Sequence, residues 1–233
     1  MATSMRRRSA FAAALEADGV DDLQLMPDEL RRVILSGDAP PGTAIPLAEV
    51  AELFGVSPIP VREALKTLVG EGLVTHRPHA GYEVARLSAA ELTELCLVRG
   101  VPEAAALRAA TPLAGPADVE EATAALTALR SCIAVGDARG YHRESRRFHL
   151  ALMRPCGMQR LLHMIESVWN LTEPAQPMRD VDPDHRWELD SDHEQMLDAF
   201  AARDADAVVA VAGRHQHRLA DVVQQRSDPS QGG

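Results

Sequence analysis

Residues 53–84 constrain the fold more than any other segment, because they predict a short helix, a tight turn, a second helix and a hairpin. Ser57 is a residue type that favours the N-cap of a helix, and Pro58 then falls at the first helical position, where a missing N–H is tolerated. Pro60 still lies in the first turn and removes no intrahelical bond. A marked helix start after a turn at Gly55 is typical of helix-turn-helix units.

The second helix of this segment has two different faces. Arg62 and Lys66, four residues apart, share a basic face. Apolar residues recur at helical spacing and predict one buried face: Val61, Leu65, Leu68 and Val69. A short helix with these two faces suits the DNA major groove, but the same pattern also occurs in packing units without DNA contact.

A β-hairpin is predicted directly after that helix. Gly72 is placed to end the helix, and two strand-like runs follow at 73–76 and 82–85. The turn between the runs contains proline and glycine. Arg77 and His79 are therefore expected at the tip of the hairpin.

Composition limits the class of the rest of the chain. Hydrophobic residues make up 46% of the 233 residues but aromatic residues only 3%, so the core must be built mainly from Ala, Leu and Val, which favours helices. The formal charge of −10 argues mildly against nucleic acid as a partner. DNA contact, however, needs a local basic face and not a basic protein.

An antiparallel all-α bundle is predicted from Ser88 onward. Ser88 and Glu91 form a capping-box pattern, and Pro102 is expected to kink or break the first helix. Ligand and metal sites in such bundles form from side chains that project inward. The predicted helices span 88–110, 116–135, 137–153, 158–172, 185–202 and 204–226.

Three histidines, His149, His193 and His215, lie on three separate helices of this bundle. Neutral imidazole is a common metal ligand. The chain has nine histidines, so three on separate helices also fit ordinary surface positions. Spacing alone leaves both interpretations open.

The first half of the chain resembles the winged-helix domain of GntR-family transcription regulators. The matching motifs are Ile34-Leu35-Ser36-Gly37, Pro41-Gly42, Gly55-Val56-Ser57, Pro60-Val61-Arg62-Glu63-Ala64-Leu65, Glu71-Gly72-Leu73-Val74 and Gly81. The resemblance implies binding to double-stranded operator DNA through Ser57, Pro58, Ile59, Arg62, Lys66, Arg77, His79 and Gly81.

The chain departs from that family where relatives read DNA. Relatives commonly carry Arg-Thr where Pro58 and Ile59 stand, and some carry a basic residue at Ala48. Pro58 and Ile59 offer only apolar contacts, for example to a thymine methyl group. A different operator sequence is therefore expected.

Residues 88–225 resemble the FCD ligand-sensing domain of the FadR branch of that family. The matching residues are Arg99, Glu103, Phe148-His149, His193, Asp204 and His215. The resemblance implies a homodimeric, allosteric regulator, with repression as the commoner mode, that senses a small carboxylic acid. This chain departs from the family at two of these positions. Pro102 stands where relatives usually carry an aliphatic residue, and Met158 stands where they commonly carry Asn.

The same resemblance implies a divalent metal, Zn or Ni, held by His149, His193 and His215. Relatives carry an Asp one turn before the first of these histidines, where this chain has Ser145, so a weaker site is expected. An effector carboxylate could restore the lost charge. The effector-binding residues implied are Arg99, Ser145 and the three histidines; Arg99 could instead form a surface ion pair with Glu103.

The predicted organisation is an N-terminal extension or extra helix at 1–25, a winged helix at 26–87, an effector-binding and dimerisation bundle at 88–226 and a disordered tail at 227–233. The overall class is mainly α. Cys96, Cys132 and Cys156 lack metal or disulfide spacing, and no transmembrane stretch is present, so a cytoplasmic protein without membrane partners is expected.

Two other classes of function compete with a regulator. One is a metalloenzyme that uses the three histidines, although no HExxH, Gly-x-Ser-x-Gly or Gly-rich phosphate loop is present. The other is a helical metal-binding interaction module whose winged helix contacts protein.

Overall fold

The structure, a computed structural model, describes residues 8–17, 25–175, 181 and 183–225, with the backbone alone at 183–184 and 223–225. The tail predicted to be disordered, 227–233, lies outside the described residues. Apart from Glu173–Ala175, the chain divides into two compact units that meet in sequence at Leu87 and Ser88. Within the described residues, no helix has the length and apolar character needed to span a membrane.

Within its described residues, 8–17 and 25–87, the first unit contains four α-helices and a small antiparallel sheet. Strand order in the sheet is β1-β3-β2, with Thr75 of β2 and Ala44 of β1 both paired with Glu83 of β3. The elements are α1 (Ala10–Ala17), α2 (Met26–Leu35), β1 (Ala44–Ile45), α3 (Leu47–Leu53), α4 (Pro58–Gly70), β2 (Val74–Arg77) and β3 (Gly81–Val84).

Helix α1 is an extra element that packs into the core of this unit. Phe11 and Leu15 are fully buried there, together with Leu30, Leu65 and other apolar residues of the winged helix. Residues 10–17 of the N-terminal segment are thus helical, which is one of the two alternatives expected for that segment.

The end of α4 follows the predicted glycine stop. Gly72 has φ +77, a conformation that costs glycine little. Its N–H donates to the carbonyl of Val69 at 3.0 Å, and the N–H of Leu73 donates to the carbonyl of Leu68 at 3.0 Å. This is the Schellman pattern, which satisfies two of the last carbonyls of the helix. The chain then enters β2 one residue later than the sequence pattern predicted.

An ion pair joins α2 to the same end of α4. Arg31 Nε donates to Glu71 Oε2 at 2.8 Å, and Arg31 Nη2 donates to Glu71 Oε1 at 2.6 Å. Such a two-bond arrangement fixes geometry as well as charge. It holds the C-terminal end of α4 against α2.

In the part of the second unit that the structure describes, six long helices form a bundle, and their bounds are close to the predicted ones. These are α5 (Ala89–Ala110), α6 (Pro116–Val135), α7 (Ala138–Met153), α8 (Gln159–Thr172), α9 (Pro183–Ala201) and α10 (Ala205–Gln225). Helix α5 begins with the predicted capping box: Glu91 N–H donates to Ser88 Oγ at 3.2 Å, and Ser88 N–H donates to Glu91 Oε2 at 2.8 Å. The helix continues through Pro102, so the break considered for that position does not occur, because packing along α5 outweighs one missing hydrogen bond.

Candidate functional site

Helices α3 and α4 form the predicted helix-turn-helix. The turn between them contains Gly55 at φ +64. Val61, Leu65 and Leu68 are buried against the core, as the apolar spacing predicted. The assignment of Val69 to that buried face is wrong. Its side chain is 37% exposed, because Val69 lies at the edge of the apolar face of α4. Arg62 and Lys66 lie on the exposed side of α4.

The start of α4 is also as predicted, with one difference in hydrogen bonding. Ser57 occupies the N-cap with extended backbone, but its hydroxyl makes no capping hydrogen bond. The usual donors are the N–H groups of the second and third helical residues, and the third is Pro60, which has none. Ser57 and Pro58 are exposed, and Ile59 is 69% exposed, so an apolar side chain points into solvent at the helix start.

The hairpin places the remaining predicted DNA residues at the surface. Arg77 ends β2, His79 lies in the turn at φ +67, and Gly81 starts β3 opposite Arg77. Arg77 Nη2 lies 2.8 Å from Glu83 Oε1.

Lys66 Nζ likewise lies 2.9 Å from Glu63 Oε1. Surface pairs of this kind contribute about 0–1 kcal/mol, so they leave both cations able to exchange a carboxylate for a phosphate. Among the described residues, Arg62 has no ion-pair partner.

The three predicted histidines converge in the interior of the bundle. His149 comes from α7, His193 from α9 and His215 from α10, and each is at most 5% exposed. One ring nitrogen of each lies within 4.8 Å of the others. The Nε2 atoms of His149 and His193 are 3.2 Å apart. We call these three residues the histidine cluster.

The cluster is electrostatically suited to remain neutral. Burial, together with His193 and Arg99, holds the pKa of His149 well below its usual value. Burial lowers the pKa of His193 to about 3, with Arg130 adding to the effect. The pKa of His215 is also well below normal, because of burial first and then the two other imidazoles and nearby arginines. Neutral imidazole is the form that binds metal ions.

The donor chemistry of the cluster fits a divalent cation. Three imidazoles can hold zinc and leave a fourth position open. The Nδ1 atoms of His193 and His215 are buried and have no hydrogen-bond partner among the described residues. Buried polar atoms of that kind require an explanation. His193 presents Nε2 to His149, so if Nε2 binds a cation, Nδ1 carries the ring proton and does not bind the cation.

Arg99 and Glu103 form an ion pair beside the cluster, but not the surface pair that was one alternative. Arg99 Nε lies 2.8 Å from Glu103 Oε1, and both side chains are about 5% exposed. The guanidinium carbon of Arg99 lies 4.0 Å from the centre of the Trp169 ring. Trp169 Nε1 donates to Glu103 Oε1 at 2.7 Å, and Gln216 Nε2 donates to Glu103 Oε2 at 2.6 Å. Trp169 of α8 therefore contacts Arg99 directly, and Gln216 of α10 holds its ion-pair partner Glu103.

Asp192 lies beside the histidine cluster. It is fully buried and accepts from Arg214 Nε and Arg218 Nη1, both at 3.1 Å. Its Oδ2 atom lies 3.8 Å from His215 Nδ1. At that distance the carboxylate makes no hydrogen bond to the His215 ring.

Sequence reasoning found the histidines and Arg99 but missed the residues that surround them. Asp192 and Gln216 directly adjoin His193 and His215 in sequence, yet neighbouring positions on a helix point in different directions. Trp169 carries no sequence signal for this role. Ser145, predicted as an effector residue, is half-buried one turn before His149 and is not a member of the histidine cluster.

Each of the two units matches a known protein family. The family model for the FCD domain matches residues 94–218, and the model for bacterial regulatory proteins of the gntR family matches residues 26–84. The transcriptional regulator McbR of Escherichia coli K12 is 26% identical over 85% of this chain and 87% of its own length. The transcriptional repressor RspR of the same strain is 29% identical over 84% of this chain and 86% of its own length.

Solved structures show the same architecture. The structure of McbR from E. coli has a TM-score of 0.78 at 24% identity and covers 90% of this chain and 100% of its own. A GntR transcriptional regulator from Rhodococcus sp. RHA1 has a TM-score of 0.75 at 25% identity, over 87% of this chain and 97% of its own. These relatives are regulators and not enzymes. The winged helix, the six-helix bundle and these matches together lead to one conclusion. The chain belongs to the GntR family of transcription regulators and carries an FCD domain.

Proposed function

We propose that this regulator is a repressor that binds a palindromic operator as a homodimer and is controlled by a small carboxylic acid. The observation that carries the proposal is the combination, on one chain, of an exposed basic helix in the winged unit with a buried neutral histidine cluster beside a buried arginine. The exposed basic helix contacts DNA, and the histidine cluster together with the buried arginine binds the effector.

DNA contact is assigned to α4 and the wing. Arg62 reads a base edge or a phosphate, and Lys66, Arg77 and His79 contact phosphates. Ile59 and Pro58 supply apolar contact, which suits a thymine methyl group. The Ser57 hydroxyl, which does not cap the helix, is exposed at the α4 N-terminus, where anions are favoured.

Effector binding is assigned to the histidine cluster, with Arg99 and Ser145. A guanidinium carries five donors, more than Glu103 alone accepts. Arg99 also lowers the pKa of His149 and His215, so its charge acts directly on the cluster. A carboxylate placed between Arg99 and a divalent cation, Zn or Ni, on the imidazoles would meet positive charge on both sides.

Dimerisation is assigned to the face formed by α5 and α10. Leu97 and Val101 are 61% and 76% exposed there. They line a cavity of about 480 Å³ between the two helices, together with Gly100 and Gly213. A Cβ atom at either glycine would meet no described atom within 4 Å, which leaves room for a helix of a second copy. Two winged helices would then face the two halves of a palindrome.

Footprinting on the DNA upstream of the chain's own coding region tests the proposal. A protected palindrome that weakens with salt is expected, and a small carboxylic acid that raises the unfolding temperature should release it. Uniform, non-specific protection would favour the interaction module instead. Ligand-strengthened binding would contradict release by the effector but leave the operator assignment intact.

A further inference from the structure

Asp190 lies one helical turn before His193 on α9 and is 4% exposed. Residues three apart on a helix are neighbours, with Cβ atoms about 5–6 Å apart. Asp190 therefore flanks the histidine cluster along the inner face of α9. No family motif named above includes this residue.

Only one of the two carboxylate oxygens of Asp190 has a protein partner. Oδ2 accepts from Arg130 Nε at 2.9 Å. Oδ1 is fully buried and makes no hydrogen bond within the described part of the chain. Leaving a buried carboxylate oxygen without a donor is costly, and such atoms are commonly served by an ion or ordered water.

Helical bundles use a carboxylate and a histidine three residues apart, both directed inward, to hold metal ions. Asp190-Ser191-Asp192-His193 has that spacing. On α7, by contrast, the position one turn before His149 is Ser145, which brings no charge. Helix α9 carries two buried carboxylates near the imidazoles, Asp190 and Asp192. Both oxygens of Asp192 accept hydrogen bonds from arginines, whereas Asp190 keeps one oxygen without a partner among the described residues.

We propose that Asp190 supplies the carboxylate of a divalent-cation site whose other ligands are His149, His193 and His215. The Asp190 oxygens lie outside the group of ligand atoms that are all within 4.8 Å of one another. The carboxylate therefore acts by a side-chain rotation or through one bridging water. Arg130, which also lies 3.1 Å from Glu194, retains that partner when Asp190 turns to the cation.

This inference rests on the proposed histidine cluster site and adds a residue to it. Metal binding by the full-length chain tests it without DNA or effector. Equilibrium dialysis with Zn²⁺ and Ni²⁺ gives the dissociation constant, and the visible absorption spectrum with Co²⁺ reports the ligand set. Asp190→Asn is expected to weaken binding by about 10–100-fold and to change the Co²⁺ spectrum.

A second substitution makes the test specific for charge. Ser145→Asp restores the family carboxylate from α7, so it should recover most of the affinity in the Asp190→Asn background and add less in the wild type. Asp198→Asn, on the exposed side of the same helix, is the matched control and should leave the affinity unchanged. Glu194→Gln removes the other Arg130 partner and should also leave it unchanged. Circular dichroism verifies that each variant is folded.

Two results would overturn the inference. If wild type binds the cations and Asp190→Asn binds them equally well, Asp190 has no role while the three-histidine site stands. If wild type binds none of the three cations, both the site and the role of Asp190 are wrong, and the assignment of DNA contact to α4 is unaffected.

Discussion

His149 and His193 face each other across the bundle interior with their Nε2 atoms 3.2 Å apart. Both rings are buried, and burial favours the neutral form of both imidazoles by lowering their pKa values. Two neutral rings at this distance share one proton or present two lone pairs to one cation. The pair thus places a polar centre in the bundle interior, close to the buried charges of Arg99 and Asp192.

Replacing Arg62 with Ala should weaken operator binding by about 1–3 kcal/mol if the residue reads a base, with specificity relaxed at one position. Gel-shift titration against operator variants measures both effects. Arg160→Ala removes the same charge from an exposed position on α8 and is the control. Unchanged operator affinity in Arg62→Ala would show that α4 is not the reading helix.

Replacing Phe11 with Ala should destabilise the winged unit by about 3–5 kcal/mol, because the ring is fully buried in its core. Urea unfolding measures this loss. Leu25→Ala, at a position 48% exposed, should change stability by less than about 0.5 kcal/mol. Equal stability of Phe11→Ala and wild type would mean that α1 does not pack on this core in solution.

Acidification should destabilise the bundle through the histidine cluster. The folded-state pKa values are lowered, so the unfolded chain binds more protons and stability falls as pH decreases below the ordinary histidine value of about 6.5. The loss continues toward the folded pKa of about 3 for His193.

Each histidine contributes a slope of about 1.4 kcal/mol per pH unit within this window. Urea unfolding between neutral pH and mildly acidic pH, with a chelator present, measures the slope. His193→Gln should reduce it, and an unchanged slope in that variant would show that His193 takes up no extra proton on unfolding.

Replacing Arg99 with Met should cost about 3–5 kcal/mol, because it leaves the Glu103 carboxylate buried without its cation. Adding Glu103→Gln should recover part of the loss, since the glutamine carbonyl can still accept from Trp169. The double-mutant cycle is followed by urea unfolding. Arg108→Met is the control. Arg108 lies on α5, as Arg99 does, but its ion pair with Asp206 of α10 is exposed, so little stability should be lost.

Substituting Glu for Val101 should convert a dimer to monomers, since the charge would lie on the proposed contact face. Light scattering across a concentration series measures the mass. Val135→Glu, at a position 79% exposed on α6, is the matched control. A dimer that survives Val101→Glu would place the contact elsewhere.

Local sequence signals located the helices and the hairpin. The Ser88–Glu91 capping box, Gly72 after α4 and the prolines that start α4 act within one or two turns of the chain, so the sequence alone positions those ends. The motif matches likewise identified the histidines and Arg99. Ser57 shows the limit: its position was predictable, but the loss of its capping bond depends on which N–H groups Pro60 leaves available.

Periodicity, caps and turn residues are local properties, so they were enough to predict a winged helix followed by a bundle of six helices. Tertiary packing set the burial of Arg99 between Glu103 and Trp169 and the position of Asp192 beside His215. It also buried Asp190 with one oxygen that has no partner among the described residues. Those relationships depend on the rotation of each helix about its own axis. Packing against several other helices sets that rotation, and no local pattern encodes it.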